Sequence, residues 1–485
     1  MDAILNFFVT VNTYLTDYLL IFLLVGVGIL FTVRTRAVQL RCFGEGMKQV
    51  FGKIKLKGDN KGGVSSFQAL ATAVAAQVGT GNIVGASGAI LVGGPGAIFW
   101  MWIIAFLGMS TIYAEATLAQ KTKVVNPDGT VVGGPVYYMK SAFKGRFGKG
   151  LAAAFAVFTT LALGFMGAMV QSNSVASNFA EVFMQFGADK NVVMIIVGVV
   201  VAVIAGVILI GGVKRLASVT EKIVPVMALV YLAGGLFVLA VNVKNLPGAF
   251  GMIFKFAFVP QAIVGGVFGA ALKKAVSQGA KRGLFSNEAG MGSTPHAHAL
   301  AEVESPHKQG VSAMIGVFID TFVVLTMTAL VVISTLYFDG TVTADGAIAG
   351  VDKTNMVQLA FQKSFGVVFG AAAGDLVGSI YVAVCLFFFA FSTIISWNYF
   401  GKVNFEYLFG KKSTIVYSVI SIGFVFLGAI LSNDLVWELT DFFNYLMVIP
   451  NVITLVALSG AVAAMAKPKG SLEIGKIKDE STLTK

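Results

Sequence analysis

The segment Ala75-Ala76-Gln77-Val78-Gly79-Thr80-Gly81-Asn82 sets two glycines and three polar side chains inside a long apolar run, 65–92. A helix that only anchored the chain would be weakened by them. If the helix unwinds here, free N–H groups open at the start of its second half and free C=O groups at the end of its first. The N–H groups suit a carboxylate, and the C=O groups suit an ammonium or a sodium ion. The alternative is a continuous helix whose glycines permit close packing. Val264-Gly265-Gly266-Val267-Phe268-Gly269-Ala270 repeats the pattern in a second run, 262–283, and predicts a second break there. Two such breaks at corresponding places are hard to ascribe to packing, although Phe268 could equally face lipid.

Acids inside apolar runs are the other chemical signal. Asp320 lies near the middle of the run 311–337, where a carboxylate is costly unless protonated, hydrated or paired with a cation. Thr321, Thr326 and Asn82 are candidate neighbours. A cation held among Asp320, Asn82 and nearby carbonyls would satisfy the charge; a neutral Asp hydrogen-bonded between helices would also do so. Glu115, toward the end of the run 96–119, reads as a structural hydrogen-bonding group within reach of water. Glu438 and Asp441 read as members of an outer gate. No basic residue between Asn82 and Lys121 is available to pair with them from the first break. Ser286, Asn287, Glu288 and the histidines 296, 298 and 307 fall after the run 262–283 and read as a gate or packing segment on the cytoplasmic side. With no nucleophile elbow or supporting shell of partners, catalysis is not expected.

The elements that must position these residues are membrane helices. Of the 485 residues 56% are hydrophobic and 12% charged, and a soluble domain carries about twice that charged fraction. With a mean hydropathy of +0.83, most of the chain has lipid as its solvent and reads as one membrane domain. Runs long enough to cross about 30 Å of hydrocarbon lie at 18–33, 65–92, 96–119, 151–180, 191–211, 223–241, 262–283, 311–337, 376–400, 413–431 and 435–465. The 56 glycines against 10 prolines suit helices that approach closely in a bilayer.

Loops after the odd-numbered runs, with the tail, hold 30 of the 35 Lys and Arg residues. By the positive-inside rule the N-terminus is outside and the C-terminus cytoplasmic. This scatter over short loops, with a net charge of +11, gives no face for nucleic acid. Cys42 in a loop and Cys385 in an apolar run cannot pair, and no metal-ligand spacing occurs along the chain. The first run reads as a retained span and not as a signal peptide. Ten spans after the first divide into five and five, which forces opposite orientation on the halves and predicts an inverted repeat. The expected division is 1–64 for the extra helix and its loop, 65–241 and 262–465 for the halves, and 466–485 for the tail. No phosphate-binding loop for ATP is encoded, and no ring-forming filter motif favours a channel.

Blocks spread over nearly the whole chain carry a specific resemblance: QVGTGNIVG (77–85), GGPGAIFWMW (93–102), GGPVYYM (133–139), QSNS (171–174), GLFSNEAGMGS (283–293) and SWNYFG (396–401). Together they resemble the alanine or glycine:cation symporter family of the amino acid–polyamine–cation superfamily, with Thr294 a departure where most members have Ala. The resemblance implies an all-α polytopic protein of about eleven helices, a LeuT-like 5+5 inverted repeat with one extra N-terminal helix. It implies sodium-coupled symport of a small neutral amino acid in the inner membrane of a bacterium or archaeon, with sodium as co-transported ion, the lipid bilayer as surroundings and no cofactor. Carried over by position, the substrate would meet Gln77, Gly79, Thr80, Gly81 and Asn82, with the N–H groups of 79–81 on its carboxylate. Carbonyls around Gly265 and Gly266 would face its ammonium, with Phe268 beside them. Phe165 and Met169 would form a wall and Trp397 a floor, unless Trp397 belongs to the interfacial belt. Sodium would lie among the carbonyls of Ala75 and Val78 and the hydroxyls of Ser392 and Thr393, an all-oxygen set that suits a hard cation. Those hydroxyls could instead bond the carbonyl one turn back. Asp320 is the candidate for a second cation.

Overall fold

A computed structural model describes residues 2–52, 64–127, 129–210, 212–259, 268–343 and 346–466. Nearly all of it is helix, with two short hairpins, Val124–Val125 with Val131–Val132 and Val342–Thr343 with Gly346–Ala347, set in loops. Among the described residues nine helices are long and apolar enough to cross a bilayer: Ala3–Arg34, Gly96–Thr122, Gly145–Met184, Lys190–Leu209, Arg215–Val241, Pro306–Tyr337, Ala371–Phe409, Lys411–Ile430 and Asn433–Ala457. They correspond to spans one, three to six and eight to eleven. The second span is a bent pair, Ser66–Gln77 and Gly81–Gly93, with 43° between its halves. The seventh is divided too, into Phe268–Asn287 and Pro295–Leu300, and its first half carries Lys273, Lys274, Lys281 and Arg282.

Local sequence explains where the interrupted helices begin. Ser65 Oγ accepts from the Gln68 N–H while Gln68 Oε1 accepts from the Ser65 N–H, both at 3.1 Å. This reciprocal cap fixes the start of the second span. Proline opens both the second half of the seventh span, at Pro295, and the eighth, at Pro306, where its missing N–H is harmless and its φ is already helical. The ends of the two divided spans lie side by side: the Val64 N–H donates to the Leu300 carbonyl and the Glu302 N–H to the Val64 carbonyl, each at 3.1 Å.

The outer faces of the bundle are apolar, and polar side chains gather within its otherwise apolar interior. Phe22, Leu229 and Ile415 are 69–75% exposed, on faces that only hydrocarbon would cover. Buried Ser, Thr, Asn and Gln line the interior around spans two, four, seven and nine. Close backbone approach needs glycine: a Cβ on Gly401 of the ninth span would lie 2.7 Å from Gly164 Cα in the fourth. Several spans widen into π-helical turns where they pass this interior, at Gly81–Gly85, Thr160–Gly167 and Phe318–Leu325. Such turns free backbone groups from the regular ladder and gather at functional positions.

Candidate functional site

The first break falls where the sequence placed it. The helix Ser66–Gln77 ends, Val78 leaves helical geometry at φ −79° and ψ 87°, and the chain resumes at Thr80. Side-chain oxygens occupy two of the freed donors: Asn82 Oδ1 accepts from the Gly79 N–H at 3.0 Å and Gln171 Oε1 from the Thr80 N–H at 3.2 Å. A substrate carboxylate would replace two neutral acceptors there. Gln77 does not reach into this space; its Nε2 donates to the Asn287 carbonyl at 2.8 Å and ties the first break to the second. Thr80 Oγ1, Gln171 Nε2 and Asn287 Nδ2 are buried with no hydrogen-bond partner among the described residues, and buried polar atoms left so are costly unless a ligand or water completes them.

The second break departs from the sequence reading. It lies at 288–294, and the described part of the expected stretch Val264–Ala270, residues 268–270, is helical. Gly265 and Gly266 lie outside the described residues, and the helix is already running at Phe268, whose side chain is not described, and at Gly269 and Ala270. Glu288, Gly290 and Gly292 take positive φ values of 60°, 92° and 80°, and residues 284–301 are buried throughout. The segment assigned to the cytoplasmic side is thus the core of the seventh span. The sequence reading ends this span at 283 and counts its charges from Lys273 onward with the cytoplasmic side. Lys273 pairs with Asp17 at 2.9 Å at the surface, and the buried Lys281 and Arg282 pair with Asp441 at 2.9 and 3.3 Å inside the bundle. Taking Lys273, Lys274, Lys281 and Arg282 out of the 30 counted on the cytoplasmic side leaves 26 of 35.

Three fully buried acids surround this break. Asp320 accepts from Asn82 Nδ2 at 2.7 Å, from Ser286 Oγ at 2.9 Å and from Thr321 Oγ1 at 2.8 Å. It therefore joins both breaks to the eighth span, whereas Thr326 turns its hydroxyl back to the Thr321 carbonyl. Glu288 accepts from Trp397 Nε1 at 2.6 Å and from the Ser293 hydroxyl. Glu115 accepts from the N–H groups of Gly290 and Gly292 at 3.1 and 2.9 Å and from Asn451 Nδ2 at 2.6 Å. It holds the unwound backbone open and is buried, not within reach of water as its position in the sequence suggested. Among the described residues, the hydrogen bonds that these carboxylates accept come from neutral donors.

The ninth span lies against the first break. Thr393 Oγ1 donates to the Ala75 carbonyl at 2.8 Å and Ser392 Oγ lies 3.4 Å from the same oxygen. Both hydroxyls also lie within hydrogen-bond reach of the Phe389 carbonyl one turn back, at 3.1 and 2.9 Å, which is the turn-back arrangement, here set against the carbonyl of the first break. A Cβ on Gly79 would collide with Thr393 Oγ1. Trp397 is buried, with its indole N–H on Glu288 and its ring edge-to-face with Phe285 at 5.5 Å, which removes the interfacial-belt alternative.

The fourth span contributes differently from expectation. Phe165 turns away from the breaks and stacks on Phe424 at 4.8 Å and Tyr417 at 5.5 Å. Met169 lies where Gly428 of the tenth span packs on its backbone. The residues of this span that face the centre are Gly167, under the Trp397 ring, and Gln171. Phe285, Ser286, Glu288 and Gln171 were absent from the expected set; their blocks stood out in the sequence, but only the position of the second break shows what they face.

Aromatic and charged side chains of the seventh and last spans pack together beside the centre. Arg282 lies over the Trp437 ring at 4.5 Å and Phe285 packs on the same ring at 4.7 Å. Lys281 bridges Glu438 at 3.0 Å, and Asn12 of the first span holds Glu438 Oε2 at 2.6 Å. Glu438 and Asp441 therefore have basic partners, supplied by the seventh span.

Residues 1–470 match the family described as the sodium:alanine symporter family. The sodium/alanine symporter AgcS of Methanococcus maripaludis is 40% identical over 462 residues, covering 94% of this chain and 95% of that protein. The probable sodium/glutamine symporter GlnT of Bacillus subtilis is 38% identical over 469 residues, covering 96% and 91%. Among solved structures, MhsT in complex with L-phenylalanine matches with a TM-score of 0.58 at 14% identity over 84% of this chain and 99% of that one. That likeness places the fold in the LeuT-like class.

Proposed function

The chain belongs to the sodium:alanine symporter family, and on that premise we propose that it couples inward sodium movement to uptake of a small neutral amino acid, alanine, glycine or a close relative, by alternating access. It is a multi-pass membrane protein and a sodium-coupled amino-acid symporter, not an enzyme. The observation that carries the reading of the site is the apposition of two interrupted helices around buried polar atoms without partners among the described residues, Thr80 Oγ1 and Gln171 Nε2 included. The substrate carboxylate lies against the N–H groups of Gly79, Thr80 and Gly81. The ammonium role moves from Gly265 and Gly266 to the second break, where the Glu288 carboxylate offers a stronger acceptor than a carbonyl. Phe285 and Trp397 bound the space and keep it small.

Ala75, Val78, Ser392 and Thr393 hold one sodium ion. Asp320, with Asn82, Ser286 and Thr321, holds a second cation. The two five-helix halves at 65–241 and 262–465 rock against each other, with the N-terminus outside and the tail in the cytoplasm of a bacterial or archaeal cell.

Uptake of radiolabelled alanine into proteoliposomes tests the reading. A sodium gradient is expected to drive saturable accumulation, with glycine and alanine competing and glutamine competing poorly. Equal accumulation with sodium replaced by choline would defeat the coupling. Stronger competition by glutamine than by alanine would defeat the assignment to a small substrate.

A further inference from the structure

Cys42 and Glu45 lie one helical turn apart where the chain leaves the first span and enters the amphipathic helix Phe43–Phe51. That helix docks on the opening turns of the eighth span. A Cβ on Gly46 would fall 2.7 Å from Ile315 Cγ1 and 2.8 Å from the Val311 carbonyl oxygen. The docking brings His307, in the first turn of the eighth span, to the same place. One ligand atom from each of Cys42, Glu45 and His307 lies within 4.8 Å of the other two, and His307 Nε2 is 3.3 Å from Glu45 Oε2. The other ring nitrogen, Nδ1, is 2.7 Å from the hydroxyl of Tyr113 in the third span.

We propose that Cys42, Glu45 and His307 form a binding site for a divalent transition-metal ion of the zinc class at the base of the eighth span. The donor set decides the class. A thiolate, an imidazole and a carboxylate suit zinc or cobalt, whereas sodium, magnesium and calcium take oxygen ligands. The site is therefore chemically distinct from the all-oxygen set around Ala75 and Thr393. The spacing fits as well: a tetrahedral ion with bonds of about 2.0–2.3 Å holds its ligands about 3.3–3.8 Å apart. The present separations reach that range with small side-chain adjustments.

The surroundings support the same assignment. In the tautomer whose Nδ1–H donates to Tyr113, His307 presents the Nε2 lone pair on the side of Glu45. A fixed imidazole of this kind is the usual support of a metal-binding histidine. The Glu45 side chain is 50% exposed and that of His307 23%, so an ion can enter from solvent and retain water as a fourth ligand. Cys42 is buried beside them. An exposed His–Glu contact alone would contribute little to stability, and it would not account for the thiol at the same point. No motif along the chain announces the site, because His307 stands 262 residues from Glu45. A bound ion would fasten the segment after the first span to the eighth span and, through Tyr113, to the third.

The test uses the purified full chain in detergent, with its affinity tag removed and its thiols reduced, titrated with cobalt(II). The expected result is a sulfur-to-cobalt charge-transfer absorption that saturates near one equivalent and disappears on adding zinc. Cys42→Ser and Cys42→Ala should each abolish the band, and Cys385→Ala should leave it unchanged. His307→Gln should weaken binding at least tenfold, and Tyr113→Phe, which touches only the support of the imidazole, by about 10–100-fold. Each variant is checked for monodispersity and for its metal-free unfolding temperature, so that a misfolded protein is not scored. A missing band in the wild type, a band that survives in both Cys42 variants, or unaltered affinity in His307→Gln would overturn the proposal.

Discussion

Replacing Asp320 by Asn removes one negative charge from the point where both interrupted helices meet the eighth span, with almost no change in volume. The carboxylate accepts from Asn82, Ser286 and Thr321 at 2.7–2.9 Å. An amide keeps one acceptor oxygen but turns two N–H donors toward groups that are themselves donating. If a cation belongs here, it loses its only charged ligand in this set. Two unit charges about 4 Å apart attract by about 4 kcal/mol at an effective dielectric constant of 20. The retained amide oxygen offsets part of this, leaving a loss of about 1.5–3 kcal/mol, typical of a bond to a charged group.

At 1.4 kcal/mol per tenfold, the sodium concentration for half-maximal uptake should rise by about 10–100-fold. Each charge moved with the substrate contributes about 2.3 kcal/mol per 100 mV of membrane potential. A variant that carries one cation fewer should therefore respond less to an imposed potential. The assay is alanine uptake into proteoliposomes against a sodium series, with and without a potassium diffusion potential, beside substrate exchange across a symmetric membrane. Exchange should be less affected than net uptake. Wild-type sodium dependence and voltage response from pH 6 to pH 8 in Asp320→Asn would refute the reasoning and leave Asp320 a neutral hydrogen-bonding group.

Four further outcomes are expected. Thr393→Ala should raise the sodium requirement more than it lowers substrate affinity at saturating sodium, because linked ligands strengthen each other only where both bind; unchanged sodium activation would remove Thr393 from the ion site. Gly79→Val should abolish substrate binding, measured by tryptophan fluorescence, while the protein still purifies as one species, since even a Cβ would strike Thr393 and crowd Gln171; wild-type affinity would mean that the glycine serves packing alone. Arg282→Met should open the outer end, so that a cysteine introduced at Phe285 reacts at least about tenfold faster with an impermeant thiol reagent, on the scale of losing one partly buried charged contact; an equal rate would show that Arg282 does not close the path. Cysteines at Lys190 and Lys244 should react from outside intact cells while one at Lys144 does not, in a background lacking Cys42 and Cys385, and the reverse pattern would invert the assigned orientation.

Composition and period settled a good deal of this protein. Apolar runs too long and too numerous for an aqueous fold fixed a bundle of membrane helices, because backbone polar groups in lipid must be satisfied within each segment. Glycines and polar residues at 77–82 marked the first break because they stand inside such a run, where nothing else accounts for them. Asp320 stood out for the same reason, and Asn82, named from sequence as its neighbour, proved to be its hydrogen-bond partner.

The second break was hidden because hydropathy ends the seventh span at 283 and cannot tell where the partners of its charged residues lie. Lys273, Lys281 and Arg282 are neutralised by Asp17, Glu438 and Asp441, residues far away along the chain. Only the tertiary structure brings them together, and with them the course of the seventh span. Likewise the direction in which Phe165 points, the bond between Trp397 and Glu288, and the meeting of Cys42, Glu45 and His307 depend on how helices pack. Local sequence can say that a residue lies on a helix; which neighbour its side chain meets is decided by contacts between distant segments.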